Sequence, residues 1–337
     1  MKTSIDDLAC FGGPRLFDTP RPIGQLSTPC VEDFLSLIGE PLALRHLTND
    51  GPLVRRLERR LAEHHGAAHC VAVANAGLGL MMLMQLLARG RRGAVIMPAF
   101  SYRGLPHFAR WAGQTPRFCD VGLHSHFLDL RSVEEAIGPE TTAILGVCNA
   151  HDHGDVAGLC RVADRHGVPV IIDAVYAIHG ARGVGLGGPP VAAEVYSLHV
   201  TKLLAGFEGG YIVTRSAALA EALAWQRNFT LPALRPMEAG VDLDHVLGLN
   251  AKLNEFHAAM ALGSLASLPA TIEANRRRHH DYEVGLHGIP GLHVLPYRRT
   301  ETANFQLVII AVQPPWPVSR DQTVALLRAE GMAIGGY

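Results

Sequence analysis

Of thirty basic residues in this chain, only three are lysines: Lys2, Lys202 and Lys252. Arginine stays protonated at any working pH, whereas a desolvated lysine can lose its proton and attack a carbonyl carbon to form a Schiff base. Lys202 is the centre of the stretch Ala193–Arg215, AEVYSLHVTKLLAGFEGGYIVTR. Its pattern predicts a strand over Ala193–Leu198, a polar turn over His199–Lys202, a glycine-bearing loop over Gly206–Gly210 and a second strand over Tyr211–Thr214. A lysine between two buried strands is placed at a sheet's working edge. A plain surface lysine on a turn is the competing reading, and the neighbouring groups decide between them.

Four such groups stand where strands are expected to end. Asn75-Ala76-Gly77-Leu78-Gly79 opens a helix, and small residues there let backbone amides approach an anion at a helix N-terminus. The same turn occurs in many α/β proteins without a ligand, and it lacks the G-x-G-x-x-G spacing of a dinucleotide site. Tyr102, in Ala99-Phe100-Ser101-Tyr102, offers a ring that stacks on a flat ligand or packs into the core. Asp173 ends the apolar run Val170-Ile171-Ile172-Asp173, where a carboxylate needs a cation or hydrogen bonds; capping a following helix is the alternative role. Ser197 lies five residues before Lys202, within reach of the same anion.

The elements that must position these groups follow from periodicity. Val54, Leu57 and Leu61 fall on one helical face, opened by Asp50-Gly51-Pro52 and closed by Gly66. Short apolar strands are expected at Cys70–Ala74, Ala94–Met97, Arg117–Asp120, Ala143–Val147 and Pro169–Asp173. Helices are expected between them at Leu78–Ala88, Arg103–Ala112 and Val156–His166. That alternation means a mostly parallel sheet covered on both faces, with ligands beyond the carboxyl ends of its strands. Later come helices at Ala217–Asn228, Leu253–Leu268, Asn275–His287 and Arg320–Glu330, and strands at Leu292–Leu295 and Ala303–Ala311. The reading is an N-terminal arm (1–30), a large domain (31–250) and a small α/β domain (251–337) that looks unfinished at its end.

Bulk properties narrow the function. With 337 residues, 48% hydrophobic and 18% charged, the chain can bury a sizeable core. A formal net charge of -1 argues against nucleic acid or an acidic membrane as the main partner. No apolar run approaches a membrane-spanning length, and the first residues do not read as a signal peptide. Six scattered cysteines without a C-x-x-C pair read as reduced thiols in a cytoplasmic protein. His151-Asp152-His153 has the spacing of a minimal metal site but no further cluster, and is expected to be a solvated loop rather than a metal centre.

A phosphate cradle, a stacking ring, a carboxylate for a ring nitrogen and a Schiff-base lysine are together the contacts that pyridoxal 5′-phosphate needs. The chain resembles the DegT/StrS sugar-aminotransferase family, a branch of the fold type I, aspartate-aminotransferase-like enzymes, over about its first 270 residues. The resemblance rests on Gly51-Pro52 with Leu57-Glu58, Val73-Ala74-Asn75-Ala76, Met97-Pro98-Ala99-Phe100, Asp173-Ala174, Ser197-Leu198-His199-Val200-Thr201-Lys202, Phe207-Glu208-Gly209-Gly210 and Gly248-Leu249-Asn250 through Asn254-Glu255-Phe256-His257-Ala258-Ala259. It implies that Lys202 carries the cofactor and that Asp173 pairs with the pyridinium nitrogen. It further implies that Ala76, Gly77 and Ser197 bind the phosphate and that Tyr102 stacks on the ring. Asn250 would reach the phosphate of a neighbouring subunit, making a homodimer with shared active sites.

The resemblance has three departures. Gly77 stands where the family usually has threonine, and Tyr176 where a histidine or glutamine usually contacts the cofactor ring oxygen. Cys148–Gly154, CNAHDHG, replaces a stretch that lies over the active site in relatives. The implied function is a transferase: an aminotransferase acting on a keto group of a sugar nucleotide or related cyclic metabolite in a biosynthetic, secondary-metabolite type pathway. Glutamate or glutamine would be the amino donor. The alternative is elimination, γ-substitution or carbon–carbon bond formation on an amino acid with the same scaffold and cofactor. The family's dehydratase variants, which have lost the lysine, are disfavoured by Lys202.

Overall fold

A computed structural model describes residues 2–21, 29–179, 191–230, 245–298 and 302–336. The chain forms two compact units. The larger comprises Ser27–Arg276 and Tyr297–Gln306, the smaller Met1–Leu26, Arg277–Pro296 and Leu307–Tyr337.

The larger unit is built on seven strands: β1 (His69–Val73), β2 (Ala94–Pro98), β3 (Thr115–Cys119), β4 (Thr141–Val147), β5 (Val170–Asp173), β6 (Val191–Ser197) and β7 (Gly210–Thr214). Their order is β1-β7-β6-β5-β4-β2-β3, and only the pairings of β7, with β1 and with β6, are antiparallel. The fold class is therefore the expected one, an α/β sheet, mostly parallel. Strand residues alternate between two buried clusters, one on each face. Ile96, Ile144 and Ile172 enter one, while Val95, Leu145 and Ile171 enter the other.

The α-helices among the described residues are α1 (Val31–Leu44), α2 (Pro52–His65), α3 (Ala76–Ala88), α4 (Leu105–Trp111), α5 (Leu130–Ala136), α6 (Val156–Arg165), α7 (Ala217–Gln226), α8 (Glu255–Leu286) and α9 (Arg320–Ala329). Periodicity missed α1, which contains Gly39 and Pro41 and buries only Ile38 and Pro41. Its Val31, Leu35, Leu42 and Leu44 remain exposed. The two helices expected over Leu253–Leu268 and Asn275–His287 are one 32-residue helix with Pro269 inside it. Packing explains the continuity: Leu265, Leu268 and Ile272, on both sides of that proline, are all buried.

The start of α2 is fixed from outside. Its N-cap is Gly51, which has no side chain to give. The carboxylate of buried Glu255, at the start of α8, accepts from the amides of Leu53 (2.7 Å) and Val54 (3.0 Å) instead. A Cβ at Gly51 would lie 2.4 Å from that carboxyl carbon, so the glycine and the distant glutamate are one device. Beside it, the buried Arg227 guanidinium binds Glu58 (2.6 Å), the Ala72 carbonyl (2.6 Å) and Asp50. This node ties α2 and the residue after α7 to β1.

Within the smaller unit, β8 (Leu292–Val294) pairs antiparallel with β9 (Ile310–Val312). Lys2 donates to the Asp7 carbonyl (2.6 Å) and to Glu330 (2.9 Å), whose carboxylate also accepts from the Ala9 and Leu16 amides, each at 2.9 Å. The first residues are thereby held to the end of α9. No helix among the described residues is long and apolar enough to cross a membrane.

Candidate functional site

β5 delivers Asp173 at its carboxyl end, where the residue is 2% exposed. Its backbone is pinned, since its carbonyl accepts from Cys148 N (2.9 Å). Its Oδ1 accepts from Val175 N at 3.2 Å. Residues 174–179 form no helix, so the alternative of a helix cap gives way to a turn. Burial pushes the Asp173 carboxyl up to about 6, against the Val175 amide and the charge of Lys202, which both favour ionisation.

β6 ends one turn before Lys202, whose amide donates to the His199 carbonyl (2.8 Å). The Lys202 Nζ lies 3.6 Å from the centre of the Tyr176 ring. Burial pushes this ammonium down to about 8, opposed by Asp173. Tyr176 is pushed up by burial and by the same carboxylate. Tertiary folding thus brings Asp173, Tyr176 and Lys202 together, with amine and acid both poised near neutrality.

The second cluster is the start of α3. Asn75 caps the helix by accepting from Leu78 N (2.8 Å), and helix geometry leaves the first-turn amides of Ala76 and Gly77 without intrahelical acceptors. Gly210, the first residue of β7, packs so closely that a Cβ there would sit 2.5 Å from Ala76 N. Gly210 also pairs with Ser197 on one side and Val73 on the other, which sets Ser197 on the strand beside this helix start. The Ser197 hydroxyl accepts from His199 N at 3.2 Å.

Gly77 has a steric reason for departing from threonine. A Cβ there would meet the tip of the Phe108 ring at 2.4 Å. Phe108 in turn stands 6.4 Å, centre to centre, from Tyr102, which is 63% exposed and leaves a ring face free. Asn250 is not brought to either cluster by a described contact. It is exposed, bridges Asn228 in antiparallel fashion, and accepts from the Lys252 ammonium. The cap of α8 is Asn254, which accepts from His257 N (3.0 Å), so helix capping is not the role of Asn250.

The CNAHDHG segment corrects one expectation. His151, Asp152 and His153 are 5%, 7% and 6% exposed, not a solvated loop. The turn closes on itself: Asp152 accepts from Gly154 N (2.9 Å) and faces the Arg298 guanidinium at 3.3 Å. Asn149 donates to the carbonyls of Ser125 (3.3 Å) and His126 (2.9 Å). Gly154 has φ 74, and a Cβ there would strike Phe127, so this glycine is required. The His151 ring packs 5.3 Å from His126, itself 5.3 Å from Phe100. No group of three or more potential metal ligands occurs among the described residues.

Two residues that shape the site escaped the sequence reading. Phe108 was legible only as part of a helix. Asn304 donates to the carbonyls of Tyr176 (2.8 Å) and Ile178 (2.7 Å), more than a hundred positions away, and no local signal marks it.

Comparison with known proteins meets this geometry. Residues 31–337 match the model of the DegT/DnrJ/EryC1/StrS aminotransferase family. The chain is 29% identical, over 95% of its length and 84% of the relative's, to dTDP-4-amino-4,6-dideoxy-D-glucose transaminase of Escherichia coli. It is 32% identical, over 81% of its length and 66% of the relative's, to L-glutamine:2-deoxy-scyllo-inosose aminotransferase of Streptomyces fradiae. Among solved structures, DesI with its TDP-sugar product superposes with a TM-score of 0.86 at 36% identity, covering 98% of this chain and 82% of DesI. A mostly parallel sheet with a desolvated lysine and acid at its carboxyl edge, read with these matches, shows that the chain belongs to the DegT/DnrJ/EryC1/StrS aminotransferase family.

Proposed function

We propose that this pyridoxal-phosphate-dependent aminotransferase transfers an amino group from glutamate or glutamine to a keto group on a sugar nucleotide or related cyclic metabolite. The observation that carries the reading is the Asp173–Tyr176–Lys202 cluster. The residues present fit the cofactor. Among the described residues Asp173 is a buried carboxylate with a single backbone donor, so a protonated ring nitrogen would supply the positive partner that its burial demands. The Ala76 and Gly77 amides, on the positive end of the α3 dipole, and the Ser197 hydroxyl suit a phosphate dianion. Tyr102 offers a free ring face for stacking.

The bound cofactor supplies an electrophilic carbon for the amino group and an electron sink for the charge left when a substrate C–H bond breaks. Lys202 Nζ would hold the cofactor covalently and would be the group that takes and returns the proton at the substrate carbon. An amine that titrates near 8 has a substantial neutral fraction at working pH, which an ordinary lysine lacks. The Tyr176 ring over Nζ excludes water from that amine on one side. Asp173 would hold a proton on the ring nitrogen. The curated relatives named above act on a dTDP-sugar and on a cyclitol ketone, which supports the substrate class.

The reading is tested by scanning amino donors against the holoenzyme with no acceptor present. Transamination converts the enzyme stoichiometrically to its pyridoxamine form with glutamate or glutamine and releases the corresponding keto acid. Elimination or replacement chemistry would return the starting spectrum and release ammonia or a substituted amino acid, and that outcome would overturn the proposal.

The working unit is a homodimer with shared sites, and the setting cytoplasmic, without a nucleic-acid or membrane partner. The exposed Val31, Leu35, Leu42 and Leu44 of α1 and the exposed Asn250 support a second copy of the chain, and six free cysteines support a reducing compartment. Mixing a Lys202→Ala chain with an Asn250→Ala chain checks the shared site. In a heterodimer one site would carry both lesions and the other neither, so activity is expected to recover partly. Confirmed subunit exchange with no recovery would show that each chain serves its own cofactor.

A further inference from the structure

We infer that Asn304, together with Gln306, is a positioning residue that holds the Tyr176 loop and the Lys202 turn in fixed relation. The inference rests on the functional reading above and deepens it. Both loops leave the sheet where ladder hydrogen bonds end, so something else must fix them. Within 174–178 the backbone closes one turn of its own, Ala177 N to the Ala174 carbonyl (2.8 Å). The Tyr176 and Ile178 carbonyls are satisfied by the two N–H groups of a single amide, Asn304 Nδ2, at 2.8 and 2.7 Å. Asn304 is 1% exposed, and its Oδ1 accepts from Gln306 N (3.0 Å), which fixes the amide's orientation. Gln306 Nε2 then donates to the Thr201 carbonyl (3.1 Å), immediately before Lys202.

Between the two amides stands Phe305, at φ 52. An aromatic residue in the left-handed region is strained and persists only where the surroundings over-determine it. Here they do. The Phe305 ring lies 4.8 Å from the Tyr297 ring, and the Arg276 guanidinium sits 5.0 Å over it. The segment Tyr297–Gln306 belongs to the larger unit although the sequence on either side belongs to the smaller one. Its end therefore serves the two catalytic loops. Among the described residues, Asp173 and Tyr176 are the titratable groups that face Lys202, and this clamp governs the position of the second.

The test reads Lys202 directly in the cofactor-free protein. With three lysines in the chain, ε-¹³C-lysine NMR gives three signals, and the Lys202 signal is the one lost in Lys202→Ala. In the wild type it is expected to titrate near 8. Asn304→Leu keeps the size and removes both donors without adding charge. Released from the clamp, Tyr176 uncovers the amine, hydration returns, and the midpoint rises by about one pH unit, with cofactor affinity falling about ten-fold. Gln306→Ala, at a half-buried position, is the second variant and moves both readouts in the same direction by less.

A folded Asn304→Leu protein with wild-type Lys202 titration and cofactor affinity overturns the inference. Gln306→Ala decides in the same way where Asn304→Leu does not fold. Lower thermal stability with an unmoved Lys202 midpoint would assign the amides to folding alone and overturn it too. A wild-type Lys202 that titrates as an ordinary lysine and captures no pyridoxal phosphate would instead sink the functional reading, so the two failures are distinguishable.

Discussion

Replacing Lys202 with alanine is expected to lower turnover about ten-thousand-fold and to abolish borohydride trapping of pyridoxal phosphate on the chain. The size of the effect follows from two losses at one atom: the covalent hold on the cofactor and the group that carries the proton. The pH dependence gives an independent handle. Burial lowers Lys202 to about 8, so protons leave the folded protein at a pH where the unfolded chain still holds them. The cofactor-free wild type therefore gains stability as pH rises from about 8 toward the ordinary lysine value of 10.5, and Lys202→Ala should lack that gain. A small exogenous amine should restore part of the proton transfer in the variant. Lys252 is the control, since its ammonium is already bonded to Asn250. An adduct that survives in Lys202→Ala, or that maps to Lys252 in the wild type, would remove Lys202 from the mechanism.

Asp173→Asn is expected to separate stability from activity. The carboxyl rises from 3.8 to about 6 because burial penalises its charge. A folded-state value above the unfolded one means stability that is present below the unfolded value and lost as pH rises through the folded one. Holding the charged form inside therefore costs the cofactor-free protein about 3 kcal/mol above pH 6. Asparagine retains an acceptor for Val175 N and removes the charge, so the cofactor-free variant should be more stable than wild type at pH 7, by a margin that closes toward pH 4. Activity should move the other way. Without a carboxylate the ring nitrogen loses its proton and is a poorer electron sink, and turnover should fall at least about a hundred-fold while some cofactor still binds. Thermal melts of the cofactor-free proteins across this pH range, set beside single-turnover rates, measure both effects. Near-normal turnover in Asp173→Asn would make the carboxylate structural.

The sequence by itself determined the sheet and the identity of the reactive groups. Alternating apolar strands and amphipathic helices carry their periodicity locally, and Asp173 and Lys202 stand out because a carboxylate ends a buried strand and a rare lysine lies in the turn between two others. The helix opening at Asn75-Ala76-Gly77, with small residues at an anion-favouring end, was equally local. What the sequence withheld was decided by contacts across long separations. α1 was hidden because Gly39 and Pro41 contradict its propensity, and α8 was split because a single proline outweighs packing in any local reading. His151, Asp152 and His153 read as solvated because polar residues in a loop favour water, yet the fold closes a hydrogen-bonded turn around them.

Gly51 and Glu255, Gly77 and Phe108, and Asn304 with the Tyr176 loop are each one device made of residues far apart in the chain. Neither half of such a pair has a distinguishing pattern, because a missing Cβ or a spare amide acquires meaning only from the atom that the fold places opposite it. Residue type fixed which chemistry was available. Tertiary packing set how far Lys202 and Asp173 are drawn toward neutrality, because desolvation and proximity belong to the folded chain and to no segment of it.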